Sequence, residues 1–141
     1  MKYWISLFVL ALSLSAGAQK IKVKGDVGTI DGATICQFAD DPATRGSFYV
    51  KDTQGSEMLY YKWVFFQELN LNYFEVYRPD DLSNILFEEQ ATTGFKKAML
   101  TRFHQSGVIS KDGLNDEKLD QFAQKLGKDF SRRREEWQNR R

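Results

Sequence analysis

The stretch EMLYYKWVFFQELNLNYFEVYR, residues 57–78, decides the fold. It holds eight aromatic residues: Tyr60, Tyr61, Trp63, Phe65, Phe66, Tyr73, Phe74 and Tyr77. Two β-prone runs, 58–66 and 71–77, flank a polar break at Gln67-Glu68 and Asn70, the pattern of a hairpin at the centre of an antiparallel sheet. Both alternating faces of the first run are apolar: Leu59, Tyr61, Trp63 and Phe65 on one, Met58, Tyr60, Val64 and Phe66 on the other. Such a strand needs cover on both sides, or cover on one and a ligand or partner on the other.

Working outward toward the N-terminus, short alternating runs repeat at strand spacing. Residues 20–24 (KIKVK) set Ile21 and Val23 against lysines that discourage edge pairing. Asp31-Gly32 between 27–30 and 33–38 is a strong hairpin signal, because a type I′ turn needs positive φ at both central residues. Residues 47–51 form a further strand, and 85–88 a last one after the turn at Arg78-Pro79.

From Thr92 the apolar period changes from two to 3.6. Thr92 or Thr93 is expected to cap a helix with Phe95, Ala98, Met99 and Phe103 on its apolar face, ended by Gly107. Asn115 caps a second helix, with Asp116 and Glu117 in its first turn and Leu114 and Leu119 spaced as a hydrophobic staple. Its buried stripe is Leu119, Phe122, Ala123 and Leu126, closed by Gly127. Ser131 is the expected cap of a third, highly charged helix. The fold class is therefore α+β: an antiparallel meander of about six strands, then two or three C-terminal helices packed on one face.

The first 18 residues read as a secretory signal peptide. Lys2 is the positive n-region, residues 3–14 the apolar h-region, and Ala16-Gly17-Ala18 fits the cleavage rule, so the exported chain starts at Gln19. Twelve apolar residues are too few for a bilayer core of ~30 Å, and no second such run follows, so no transmembrane anchor is expected. Residues 19–141 then form a single domain. With 20 Lys+Arg against 19 Asp+Glu overall, the charge is balanced, which argues against nucleic acid as a partner. The single cysteine, Cys36, has no internal disulfide partner and should pack inward as a small hydrophobe.

Val27 with Asp31-Gly32, the run Thr93-Gly94-Phe95-Lys96-Lys97, and Phe122 to Gly127 followed by Phe130-Ser131-Arg132-Arg133-Arg134 resemble an uncharacterised family of small secreted proteins of Gram-negative bacteria. The resemblance implies a signal peptide and an α+β layout with strands first. It carries no activity and no site.

No catalytic constellation is visible, and no cofactor is expected. With one histidine, His104, and one cysteine, no zinc site of the usual ligand count can be assembled. His104 should lie at the border of the exposed helix face. The sequence holds no nucleophile elbow, phosphate loop or dinucleotide fingerprint. Glu75 shares one strand face with Leu71, Tyr73 and Tyr77. A carboxylate among aromatics suits a sugar-binding acid or a glycosidase residue, the latter needing a second convergent carboxylate; the plainer alternative is a solvent-facing glutamate beside two wet tyrosines.

The basic C-terminus, Arg132-Arg133-Arg134 with Arg140-Arg141, places Phe130 and Trp137 seven residues apart on one helical face. That face either docks on the sheet, the expected use, or anchors at anionic headgroups. The functional expectation is a secreted or periplasmic non-catalytic protein that binds a ligand or partner, an envelope protein or a glycan, through an aromatic sheet face. The candidate residues are Tyr61, Trp63, Tyr73, Glu75 and Tyr77. The alternative is a small secreted hydrolase of envelope or extracellular glycans. Trp63 itself is expected in the core, since apolar rows are more often buried than displayed.

Overall fold

A computed structural model describes residues 20–141; the expected signal peptide and its expected cleavage site lie outside the described residues. Seven strands follow one another as a pure antiparallel meander: β1 (Ile21–Lys24), β2 (Val27–Ile30), β3 (Ala33–Asp40), β4 (Phe48–Lys51), β5 (Glu57–Phe66), β6 (Leu71–Tyr77) and β7 (Phe87–Gln90). The aromatic stretch is the β5–β6 hairpin, as its alternation requires, with Tyr61 opposite Val76 and Trp63 opposite Phe74. Asp31 and Gly32 both take positive φ, 51° and 82°, which the two-residue turn between β2 and β3 demands. The last strand pairs from Phe87 rather than Ile85, two residues later than the sequence suggests.

Helix α1 (Phe95–Gln105), a small ribbon of β8 (Ile109–Ser110) and β9 (Gly113–Leu114), α2 (Asp116–Leu126) and α3 (Asp129–Asn139) complete the chain. The sheet curls so that its β1 edge meets α1 while α2 lies against β7. One face is the core: Phe38, Phe48, Val50, Leu59, Tyr61, Phe74, Val76 and Phe87 from the sheet meet Phe95, Met99, Leu100, Phe103, Leu119 and Phe122 from α1 and α2. Packing is largely ring on ring, with Phe122 edge-on to Phe103 at 5.0 Å and to Phe87 at 5.4 Å. Cys36 is fully buried in this core.

The α+β architecture stands, and several local expectations shift. Gly94, in the left-handed region at φ 70°, takes the N-cap position of α1 with no side-chain cap, displacing Thr92 and Thr93. Ala98 is exposed and Leu100 takes the buried place. Asn115 caps α2 as expected, its side chain accepting the Lys118 N–H at 3.1 Å. Leu126, in the last turn of α2, is exposed. Ser131 is inside α3 rather than at its cap, which is Lys128.

Helix α3 goes to the opposite sheet face from α1 and α2. Phe130 stacks on Tyr73 with ring centroids 4.9 Å apart, and Trp137 meets Phe66 edge-on at 5.3 Å. Both apolar faces of β5 are thus at least partly covered. The basic helix docks on the sheet, as its spacing implied.

Candidate functional site

The five candidate residues divide between the two faces. Tyr61 and Trp63 point to the α1 side; Tyr73, Glu75 and Tyr77, with Lys62 from β5, point to the α3 side. Alternation along the strands enforces the split, so no single pocket holds all five.

On the α3 side, Glu75 is only 3% exposed, which corrects the solvent-facing alternative. The phenols of Tyr77 and Tyr73 donate to its two oxygens at 2.9 and 3.3 Å. Arg134 Nη2 of α3 lies 3.6 Å away and Lys62 Nζ 3.9 Å away. Directly across the β6–β7 register stands Glu88, also 3% exposed. Burial pushes the Glu88 carboxyl upward, opposed by hydrogen bonds from Ser131. Burial, together with the Glu75 charge, likewise holds Tyr73 and Tyr77 above the ordinary phenol range. This cluster is sealed by α3, and each carboxylate already has partners.

On the α1 side the core runs out before the hairpin does. Strands β4 and β7 have four residues each and pair only part of the longer β5 and β6. Tyr61, inside the shared zone, is fully buried, its hydroxyl donating to Glu89 at 3.3 Å. Arg102 of α1 pairs with the same carboxylate at 2.7 Å. Trp63 lies one step beyond and is 36% exposed; Phe65, further out, is 53% exposed. Trp63 is therefore not core, because on this face α1 and α2 cover the sheet only where the shorter strands run beside the hairpin.

Trp63 is nonetheless fixed in place. Its indole N–H donates to Asn72 at 2.6 Å and its backbone N–H to the Ser47 hydroxyl at 2.9 Å. The ring lies against Gly46, where an added Cβ would come within 2.8 Å of it. Phe65 runs nearly parallel to Trp63, 15° between planes and 6.3 Å between centroids. Asn72 and Ser47 are polar partners that no periodicity marks, which is why the sequence does not announce this platform.

Gly46 also lines a cleft of about 530 Å³ between the sheet and the start of α1. Its walls include Phe48, Phe74 and Phe95, with Asp40, Lys96 and Lys97 at the rim. Lys96 Nζ sits over the rings of Phe48 and Phe38 at 5.0 and 5.2 Å, a cation–π arrangement. His104 is half-buried at a separate depression near Ile30 and Asp112, away from this cleft. Among the described residues, no group of three or more His, Cys, Asp or Glu is arranged to hold a metal ion. No helix among them is long and apolar enough to cross a membrane. Compared with known proteins, the chain matches no family model, no curated protein and no solved structure.

Proposed function

We propose that this chain is an exported, non-catalytic binding protein whose ligand sits on the uncovered end of the aromatic sheet face. One observation carries this reading: Trp63 and Phe65 are exposed and nearly parallel, and Trp63, held by two hydrogen bonds, lies against Gly46 in the lining of a ligand-sized cleft. A large aromatic held by two hydrogen bonds offers contact area without an ordering cost at the moment of binding. Export follows the signal pattern, and mass spectrometry of the exported protein should show a start at Gln19. Intact Met1 protein in a membrane fraction would argue against it.

The test uses a Trp137→Phe variant, which leaves Trp63 as the single tryptophan of residues 20–141. Titration with an organic extract of bacterial envelopes should shift its emission to the blue and reduce acrylamide quenching. A spectrum that ignores the extract overturns the proposal.

A second reading, a glycan hydrolase, draws support from the Glu75–Glu88 pair, since two convergent carboxylates are what such chemistry requires. It needs α3 to leave, because both groups are buried beneath it. Turnover of labelled peptidoglycan by wild type, abolished in Glu75→Gln and in Glu88→Gln, would move this reading ahead of the first.

A further inference from the structure

The cleft beside Trp63 carries an arrangement of charge that its own fold does not require. Lys96 and Lys97 occupy the first turn of α1, where the dipole disfavours cations and no acidic residue offsets them. Among the described residues neither has a carboxylate oxygen within 4.0 Å, although the chain pairs Arg78, Arg102, Arg132 and Arg134. Lys96 instead lies over the aromatic floor. Local choices that work against the element containing them gather where function demands them.

We infer that the cleft takes a small monoanionic amphiphile, its carboxylate between Lys96 and Lys97 and its apolar body along Phe48, Phe74 and Phe95. This rests on the binding reading above and names its ligand class. Charge complementarity selects the head: two lysines at the mouth of an aromatic-floored cleft attract an anion. Asp40, which also lines the cleft, repels a second negative group and so favours a monoanion over a dianion. The volume of about 530 Å³ lies in the range of small-molecule sites, ~300–1,000 Å³, so a single free molecule suits it better than a membrane surface.

The test compares decanoate, 1-decanol and decyltrimethylammonium, three probes with the same tail and different heads. Each is titrated below its micellar concentration against the Trp137→Phe protein and followed by Trp63 emission and calorimetry. Decanoate should bind at least tenfold more tightly than 1-decanol, and decyltrimethylammonium no better than 1-decanol. Lys96→Gln with Lys97→Gln should erase the advantage of decanoate and leave 1-decanol unchanged. Lys97 is exposed, so Lys97→Gln alone gives the same readout should the double variant fold poorly. Equal affinity for decanoate and 1-decanol overturns the ligand class while leaving the binding reading intact. Silence toward all three probes and toward the envelope extract removes both.

Discussion

Glu88 of β7 accepts the backbone N–H of Ser131 on both carboxylate oxygens, at 3.1 and 3.2 Å, across 43 residues of sequence. Its own backbone N–H donates to the Gly127 carbonyl at 3.0 Å. One edge-strand residue therefore holds both the end of α2 and the start of α3. Helix α3 has no side-chain cap of its own, and a buried carboxylate from the sheet takes that place.

Removing that carboxylate should loosen α3 before anything else. Glu88→Ala leaves the Ser131 N–H buried without its acceptor, at a cost of about 1–3 kcal/mol. Hydrogen exchange should rise across residues 129–139 and stay slow in β5 and β6. Unchanged protection in α3 would show that Phe130 and Trp137 hold it unaided.

The acid response follows from the direction of the shifts. Burial raises Glu88 and Glu89 above the ordinary carboxyl value of 4.5, so the folded state binds protons that the unfolded state releases. Their contribution to stability is full below 4.5 and declines as pH rises through the raised values. Glu88 faces Glu75 and the backbone N–H of Ser131, while Glu89 faces Arg102 and Tyr61. Glu88→Gln keeps an acceptor for Ser131 and loses the titration. Wild type should therefore lose ground to Glu88→Gln in urea melts as pH rises from 4 toward 7. A difference that is flat with pH would mean that Glu88 titrates as an ordinary carboxyl.

Cys36 offers a probe of the sheet interior. Burial pushes its thiol up to about 11, and the thiolate is the reactive form. A disulfide reagent at pH 8 should leave the native protein unlabelled and react at once in denaturant. Gly28 shares this space, since an added Cβ would lie 2.8 Å from both Cys36 Sγ and Leu100 Cδ2. Gly28→Ala should cost ~1–3 kcal/mol by overpacking and make Cys36 labelling measurable in the native state. Normal stability with Cys36 still silent would show that the site relaxes freely.

The residues that were legible in the sequence share one property: their partners are near in the chain or implied by period. Asp31-Gly32, the Asn115 cap and the β5–β6 hairpin all speak through local geometry. Trp63 was misplaced because alternation reveals a face and says nothing of how far the neighbouring strands extend. Glu75 looked solvent-facing because its burial depends on Arg134 and on Phe130 covering Tyr73, nearly 60 residues on. The cleft was invisible for the same reason, since Gly46, Phe74 and Lys96 meet only in the folded sheet.

Helix α2 separates pattern from packing most cleanly. Phe122 and Leu126 belong to the same apolar stripe by spacing, yet Phe122 meets Phe87 and Phe103 while Leu126 is 38% exposed. The last turn has reached the rim of the sheet, where Gly127 meets the edge strand. Phe122→Ala removes a ring from a three-ring cluster and should cost ~3–5 kcal/mol. Leu126→Ala leaves no comparable cavity and, as an exposed substitution in a helix, should stay within about 0.5 kcal/mol. Paired urea melts of the two variants give the comparison directly, with unchanged slopes confirming that the same surface unfolds. Equal losses would mean that α2 continues to pack through its last turn, and that its rim position at β7 is wrong.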